Sequence, residues 1–165
     1  MENYLRIEHS DNHNAVFQLK EKGKIEFCKL TKELTILRFY FEEINLTTTT
    51  YSDGYIDDRV VIMLANYPTH FTSFHELDKQ EILIKNGWDN DRMFTMIGIW
   101  DGEQIDNNVI HFQMIDENNV MIRWTGEANM EGHYERISFV GIAKLAVDVV
   151  TPLCESGEKL IEIYS

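Results

Sequence analysis

The sequence predicts an α+β protein, mainly antiparallel β, that folds as a single twisted meander sheet or a partly closed barrel with one or two short helices. Two observations support this fold class. Apolar and polar residues alternate with a period of two along several short segments, as in strands with one buried face. The 165 residues include nine Phe, seven Tyr and three Trp, which supply enough apolar surface for one core. We therefore expect a single domain over residues 1–165.

The first half of the chain contains four strand-like segments. Residues 15–19 and 25–30 alternate on either side of a Lys- and Gly-containing turn, and we interpret them as a hairpin. Residues 34–44 are rich in aromatic and β-branched side chains, which favours a strand. Residues 59–65 form a short apolar run, typical of a strand covered on both faces. Residues 46–57 between them are predicted to be a polar loop.

The segment 73–86 allows two interpretations. Ser73 and Glu76 have the spacing of a capping box, and Asn86-Gly87 is a typical helix end, which together predict a helix over 74–85. The alternation within residues 81–85 suits a strand equally well. The sequence leaves both alternatives open.

The second half predicts a meander of four strands. Their expected ranges are 93–100, 109–115, 120–125 and 134–142, separated by turn-rich connectors. A final strand is expected over residues 160–164.

The chain is strongly acidic. Fifteen Lys and Arg against 28 Asp and Glu leave a formal charge of −13, which repels phosphate backbones and anionic lipid headgroups. Residues 86–135 hold ten acidic and two basic side chains, and nine of these acids fall in connectors. Because the turns of an up-and-down meander alternate between its ends, we expect both rims of the sheet to be acidic. Direct nucleic-acid binding and membrane association are disfavoured.

The sequence shows no targeting signal. The first residues lack the basic and apolar regions of a secretory leader, and no apolar run approaches the roughly 18 residues of a membrane span. Cys28 and Cys154 lack the spacing of a metal or redox motif, which suits a reducing compartment. A cytoplasmic protein is expected.

Motifs of known chemistry are incomplete in this chain. His75-Glu76 begins like the HExxH zinc motif, but Lys79 stands in the place of the second histidine. The segment Asp89-Asn90-Asp91 lacks the ligand spacing of a calcium loop. We therefore expect no metal, no cofactor and no catalytic motif.

The leading function hypothesis is a non-enzymatic immunity or inhibitor protein, of a bacterial kind, that neutralises a basic toxin domain. Toxin nucleases are commonly basic because they must hold phosphates, and an acidic surface can occupy that site. The oligomeric state is left open. The expected partner-binding residues are connector acids with two aromatic anchors, namely Trp88, Asp89, Asp91, Trp100, Asp101, Glu103, Asp106 and Asp116.

Two other classes of function are alternatives. Gly98-Ile99-Trp100 resembles the Gly-x-Trp element of lipocalin-like barrels, which implies a carrier of a small apolar ligand. Its cavity would be lined by Phe94, Trp100, Phe112, Trp124 and Phe139. The other alternative is an enzyme that uses dispersed residues, of which the candidates are His111, Tyr134 and Glu135.

Overall fold

The computed structural model describes residues 3–9, 12–52, 56–71, 73–89, 92–98, 102–130, 133–146 and 157–164. These residues form twelve strands, one 3₁₀-helical turn (Phe74–Leu77) and one helix, α1 (Gly157–Tyr164). The strands are β1 (Tyr4–Glu8), β2 (Asn14–Leu19), β3 (Gly23–Lys29), β4 (Thr35–Thr49), β5 (Arg59–Thr69), β6 (Glu81–Ile84), β7 (Trp88–Asp89), β8 (Arg92–Met93), β9 (Thr95–Gly98), β10 (Glu103–Met114), β11 (Asn119–Met130) and β12 (His133–Leu145).

Eight of the strands form an antiparallel ring. Its order is β1, β2, β4, β5, β9, β10, β11 and β12, and β12 pairs back with β1. Closure is uneven, because β3 lies between β4 and β12, parallel to β12, and because β6 and β9 share one edge of β10. The predicted mainly antiparallel β composition is confirmed.

The predicted hairpin of the first half is wrong. β2 and β3 do not pair with each other, and instead both pair with β4. β2 lies along Ile44–Thr49, and β3 lies along Thr35–Tyr40. The N–H of Lys20 donates to the carbonyl of Glu43 at 3.1 Å, so the chain follows β4 without reversing. Alternation identifies a strand but not its neighbour.

β4 is longer than the sequence predicts and extends into the expected polar loop. The hydroxyls of Thr47 and Thr49 donate to the carbonyls of Val16 and Asn14 at 2.8 and 3.1 Å. These bonds satisfy the polar side chains at the exposed end of β4, beyond the hydrophobic core.

β5 has one fully buried face rather than two. Val60, Ile62 and Leu64 are buried, whereas Val61 and Met63 are half-buried. The second face is therefore only partly covered.

The ambiguous segment 73–86 forms a 3₁₀ turn followed by strand β6, so of the two alternatives the strand is the one observed over residues 81–84. Ser73 makes no side-chain capping bond. Lys79 adopts a φ of 64°, a left-handed conformation that ends a helix. The alternation of residues 81–84 then pairs with β10.

Helix α1 replaces the strand expected over residues 160–164. Leu160 is fully buried against Cys28 and Ile36 on the outside of the ring. Tyr164, one turn later, donates its hydroxyl to the carbonyl of Asn66 at 3.0 Å. Residues four apart share a helix face, which places both side chains on the barrel. Neither helical segment in the described ranges has the length and apolar character of a bilayer crossing.

Aromatic side chains fill the interior of the ring. The centroid of the Phe39 ring lies 5.6 Å from that of Trp124 and 6.0 Å from that of Phe112, and Phe139 lies 6.3 Å from Trp124. These four side chains are at most 1% exposed. Three of the residues expected around a ligand cavity therefore pack on one another, which favours a filled core. Phe94 is half-buried at the margin of that core.

Candidate functional site

The two ends of the ring differ in charge. At the end that we call the acidic end, β1, β4, β9 and β11 end and β2, β5, β10 and β12 begin. By sequence, the connectors that join these strands (9–13, 50–58, 99–102 and 131–132) contain no Lys or Arg and six acids, Asp11, Asp53, Asp57, Asp58, Asp101 and Glu131, of which Asp57 and Asp58 belong to the described residues. The segments that precede or follow the other ends of the strands, 20–22, 30–34, 70–80, 115–118 and 146–156, contain eight acids and four Lys by sequence. The connectors of the acidic end therefore differ in having no basic side chain.

Five of the predicted partner-binding residues lie on one flank of the ring or outside the described residues. Trp88 and Asp89 are exposed on the short hairpin of β7 and β8, where the Asp89 carboxylate lies 3.4 Å from Arg92. Asp91, Trp100 and Asp101 lie outside the described residues.

The other three predicted residues occupy different environments. Glu103 is half-buried at the start of β10, at the acidic end. Asp106 is buried and accepts hydrogen bonds from the Gly87 N–H at 2.9 Å and from the Gln104 amide at 3.1 Å. Its carboxylate therefore joins β10 to the chain before β7.

Asp116 lies in the turn between β10 and β11, at the opposite end. Its carboxylate accepts hydrogen bonds from the backbone N–H groups of Asn118 and Asn119 at 2.8 and 2.9 Å. These bonds hold the pKa of Asp116 below its usual range, led by the bond from Asn118. At about 3.4 Å per strand residue, Asp116 and Glu103 stand roughly 40 Å apart. The eight predicted residues therefore do not share one surface.

A cluster of titratable side chains lies at the mouth of the acidic end. Glu135 is only 1% exposed, and the Tyr51 hydroxyl donates to its Oε2 at 2.9 Å. Nε2 of His9 stands 3.9 Å from Oε1 of Glu135. The His9 ring meets the His133 ring edge-on at 6.0 Å, and the His13 ring lies 5.5 Å from the Tyr51 ring. We call these five residues the mouth cluster.

Strand alternation explains how the mouth cluster forms. Ile7 on β1 and Ile137 on β12 are buried and directly paired. Two residues further toward the acidic end, the same inward-facing positions are His9 and Glu135. The inward face of the barrel therefore changes from apolar to polar side chains at its mouth.

Glu135 is one of the dispersed residues expected for an enzyme, but the other two, His111 and Tyr134, do not lie beside it. Tyr134 is 54% exposed on the other face of β12, and His111 pairs with Arg123 on the outer face of β10. The structure instead brings Glu135 to Tyr51, 84 residues away in the chain. The alternation of β1 and β12 was visible in the sequence, but their pairing was not.

The buried carboxylate of Glu135 makes the mouth cluster a favourable place for a positively charged group. A buried carboxylate is costly unless it is paired, and here it contacts one hydroxyl and one imidazole. The adjacent Arg136 is exposed, on the opposite face of β12. Within the described ranges, no group of three or more His, Cys, Asp or Glu has the arrangement of a metal site.

Comparisons of this chain with family models, with curated proteins and with solved structures found no match.

Proposed function

We propose that this protein is a non-enzymatic immunity or inhibitor protein that neutralises a basic partner, such as a toxin nuclease domain, through the acidic end of its barrel. The observation that carries the proposal is that the connectors of this end contain six acids and no Lys or Arg by sequence, with Asp57 and Asp58 exposed, in a chain with a net charge of −13. A nuclease surface must attract phosphates and is therefore basic. An acidic face can bind that surface and exclude the nucleic acid.

Charge complementarity predicts the kinetics of such a complex. Asp57 and Asp58 are exposed next to β5, where they contribute to a field that accelerates encounter with a basic protein. Salt screens this field, with a Debye length of about 8 Å at physiological ionic strength. Association should therefore be fast at low salt and slower at high salt.

The ring supports this role by presenting its connectors on a rigid frame. Each ring strand pairs with a ring neighbour on both sides, and the interior is packed with buried aromatic side chains. A pre-organised surface loses less entropy on binding than a flexible one. The proposal keeps Asp101 and Glu103 from the sequence-predicted set and places Asp116 outside the interface.

The experiment is a binding assay with the product of the neighbouring gene, because immunity proteins are usually encoded beside their toxins. Asp57→Asn/Asp58→Asn removes two charges from the acidic end. Glu33→Gln/Glu117→Gln removes two exposed charges from the opposite end and serves as the matched control. We expect the first variant to lower the association rate about tenfold at low salt, with the control within about twofold. Equal effects of the two variants, or no binding of a basic partner, would refute the proposal.

A further inference from the structure

Glu135 has an unusual position for a carboxylate in a protein of this charge. It lies at the mouth of the end whose connectors carry the excess of acids, and it is 1% exposed. Its contacts among the described residues are the Tyr51 hydroxyl and the His9 imidazole. Neither group has a permanent positive charge, so the carboxylate is desolvated without a fixed counter-ion.

The rings around this carboxylate narrow the class of ligand. Tyr51 contacts Glu135 directly, His13 lies 5.5 Å from the Tyr51 ring, and His133 lies 6.0 Å from the His9 ring. The face of a tyrosine ring such as that of Tyr51 attracts ammonium and guanidinium groups, and a carboxylate binds guanidinium through strong charge-assisted bonds. An anionic ligand would meet the Glu135 charge directly. The combination therefore favours an organic cation.

We propose that the mouth of the acidic end is a receptor for one arginine or lysine side chain of the basic partner. In this complex Glu135 is the counter-ion, and the rings of Tyr51, His9 and His13 flank the inserted side chain. The inference rests on the proposed function, which supplies the basic protein. Arg is among the residues that most often carry the binding energy of an interface.

Insertion exchanges one bond of Glu135 for a stronger one. The two groups that contact the carboxylate lie just beyond the ends of strands. His9 comes directly after β1, and Tyr51 comes shortly after β4. The His9 side chain is 20% exposed, and His13 and His133 are exposed. The cation reaches Glu135 from this side and takes the place of the neutral Tyr51 hydroxyl as the hydrogen-bond donor. A hydrogen bond from a charged donor is roughly twice as strong as one from a neutral donor.

The first test uses a small probe on the full chain. Nα-acetyl-arginine amide and its neutral isostere, Nα-acetyl-citrulline amide, are titrated while the NMR signals of the Tyr and His rings are followed. We expect the arginine probe to shift the signals of Tyr51 and His9 in a saturable manner, and the citrulline probe to leave them unchanged. Equal shifts with both probes, or none with either, would overturn the proposal.

A pair of variants then assigns the counter-ion. Glu135→Gln removes the charge and retains an oxygen that can accept the Tyr51 bond. Glu127→Gln is the matched control, since Glu127 is half-buried on the outer face of β11 and accepts a bond from the Asn107 amide at 3.1 Å. We expect Glu135→Gln to weaken probe binding by at least about tenfold, with the control within about twofold. Wild-type affinity in Glu135→Gln would overturn the proposal.

The same variants separate the receptor from the proposed function. If Asp57→Asn/Asp58→Asn weakens partner binding and Glu135→Gln does not, the function stands and the receptor is refuted. If the arginine and citrulline probes differ in the wild-type protein but no basic protein binds, the receptor stands and the function is refuted. Because the probe comparison needs only the wild-type chain, it remains decisive even if Glu135→Gln fails to fold.

Discussion

Replacement of Asn108 should reveal how the uneven ring is held together. Asn108 lies on β10, next to β9 and β6, and is 2% exposed. Its amide nitrogen donates to the carbonyls of Ile84 and Ile105 and to the Thr95 hydroxyl at 3.0, 2.7 and 3.0 Å. Its oxygen accepts a bond from the indole N–H of Trp124 at 2.7 Å. One side chain thus links four strands.

The expected cost of Asn108→Ala follows from the groups that it leaves behind. The indole N–H of Trp124 loses its bond to Asn108, at about 1–3 kcal/mol for a buried group left unsatisfied. The carbonyl of Ile105 keeps a bond from the Thr95 hydroxyl at 2.7 Å, and Ile84 stays paired with residue 108 in the ladder between β6 and β10, so both should add little. With the packing that the shorter side chain gives up, we expect the free energy of unfolding to fall by about 2–4 kcal/mol.

Urea unfolding of the wild-type protein and four variants, Asn108→Ala, Trp124→Phe, their combination and the control Asn118→Ala, tests this expectation. The control Asn118→Ala alters an exposed turn residue and should change the free energy of unfolding by less than about 0.5 kcal/mol. Trp124→Phe combined with Asn108→Ala should show a coupling of about 1–2 kcal/mol, because both changes remove the same bond. A cost of Asn108→Ala below about 1 kcal/mol, or strict additivity, would show that the amide does not hold the ring.

Three further predictions follow from single residues. Burial raises the pKa of the Cys28 thiol. In a Cys154→Ser background, iodoacetamide should therefore label Cys28 slowly at pH 8 and rapidly in denaturant. Labelling of the native protein at the rate of an exposed thiol would contradict this prediction. The lowered pKa of Asp116 stabilises the fold above the ordinary pKa of about 3.9, and this contribution is lost as the pH falls through the lowered value. Asp116→Asn should accordingly be less stable than Glu117→Gln at pH 7, and a gap that persists at pH 2 in urea unfolding would refute the assignment. A Cβ at Gly87 would lie 2.2 Å from a backbone carbonyl oxygen, so Gly87→Ala should destabilise the protein by about 2–4 kcal/mol in thermal unfolding, and an unchanged melting temperature would contradict the packing.

Local patterns predicted the parts of the fold in which neighbours in sequence are neighbours in space. The meander of β10, β11 and β12 follows from alternation alone, which also puts Arg123 on the exposed face and Trp124 on the buried face of β11. Helix α1 was missed because a segment as short as residues 160–164 fits a period of two and a period of 3.6 about equally well.

Contacts between distant segments were beyond the reach of a single sequence. Nothing in the first strand indicates that it pairs with β12, and without that pairing His9 and Glu135 have no relation. For the same reason the sequence indicated an exposed Asp106. Its carboxylate is buried and accepts a hydrogen bond from the N–H of Gly87, 19 residues earlier in the chain. The candidate site is therefore a product of ring closure rather than of any one motif.

Ring closure also has a consequence for how this protein could change its target. Every ring strand already has a ring neighbour on both sides, so a partner cannot extend the ring by adding a strand to it. Recognition at the acidic end then falls to the side chains of its connectors. Such segments tolerate substitution and insertion better than the strands that they join. Under the proposed function, exchange of these four connectors is therefore a direct route to redirect the same scaffold to a different basic partner.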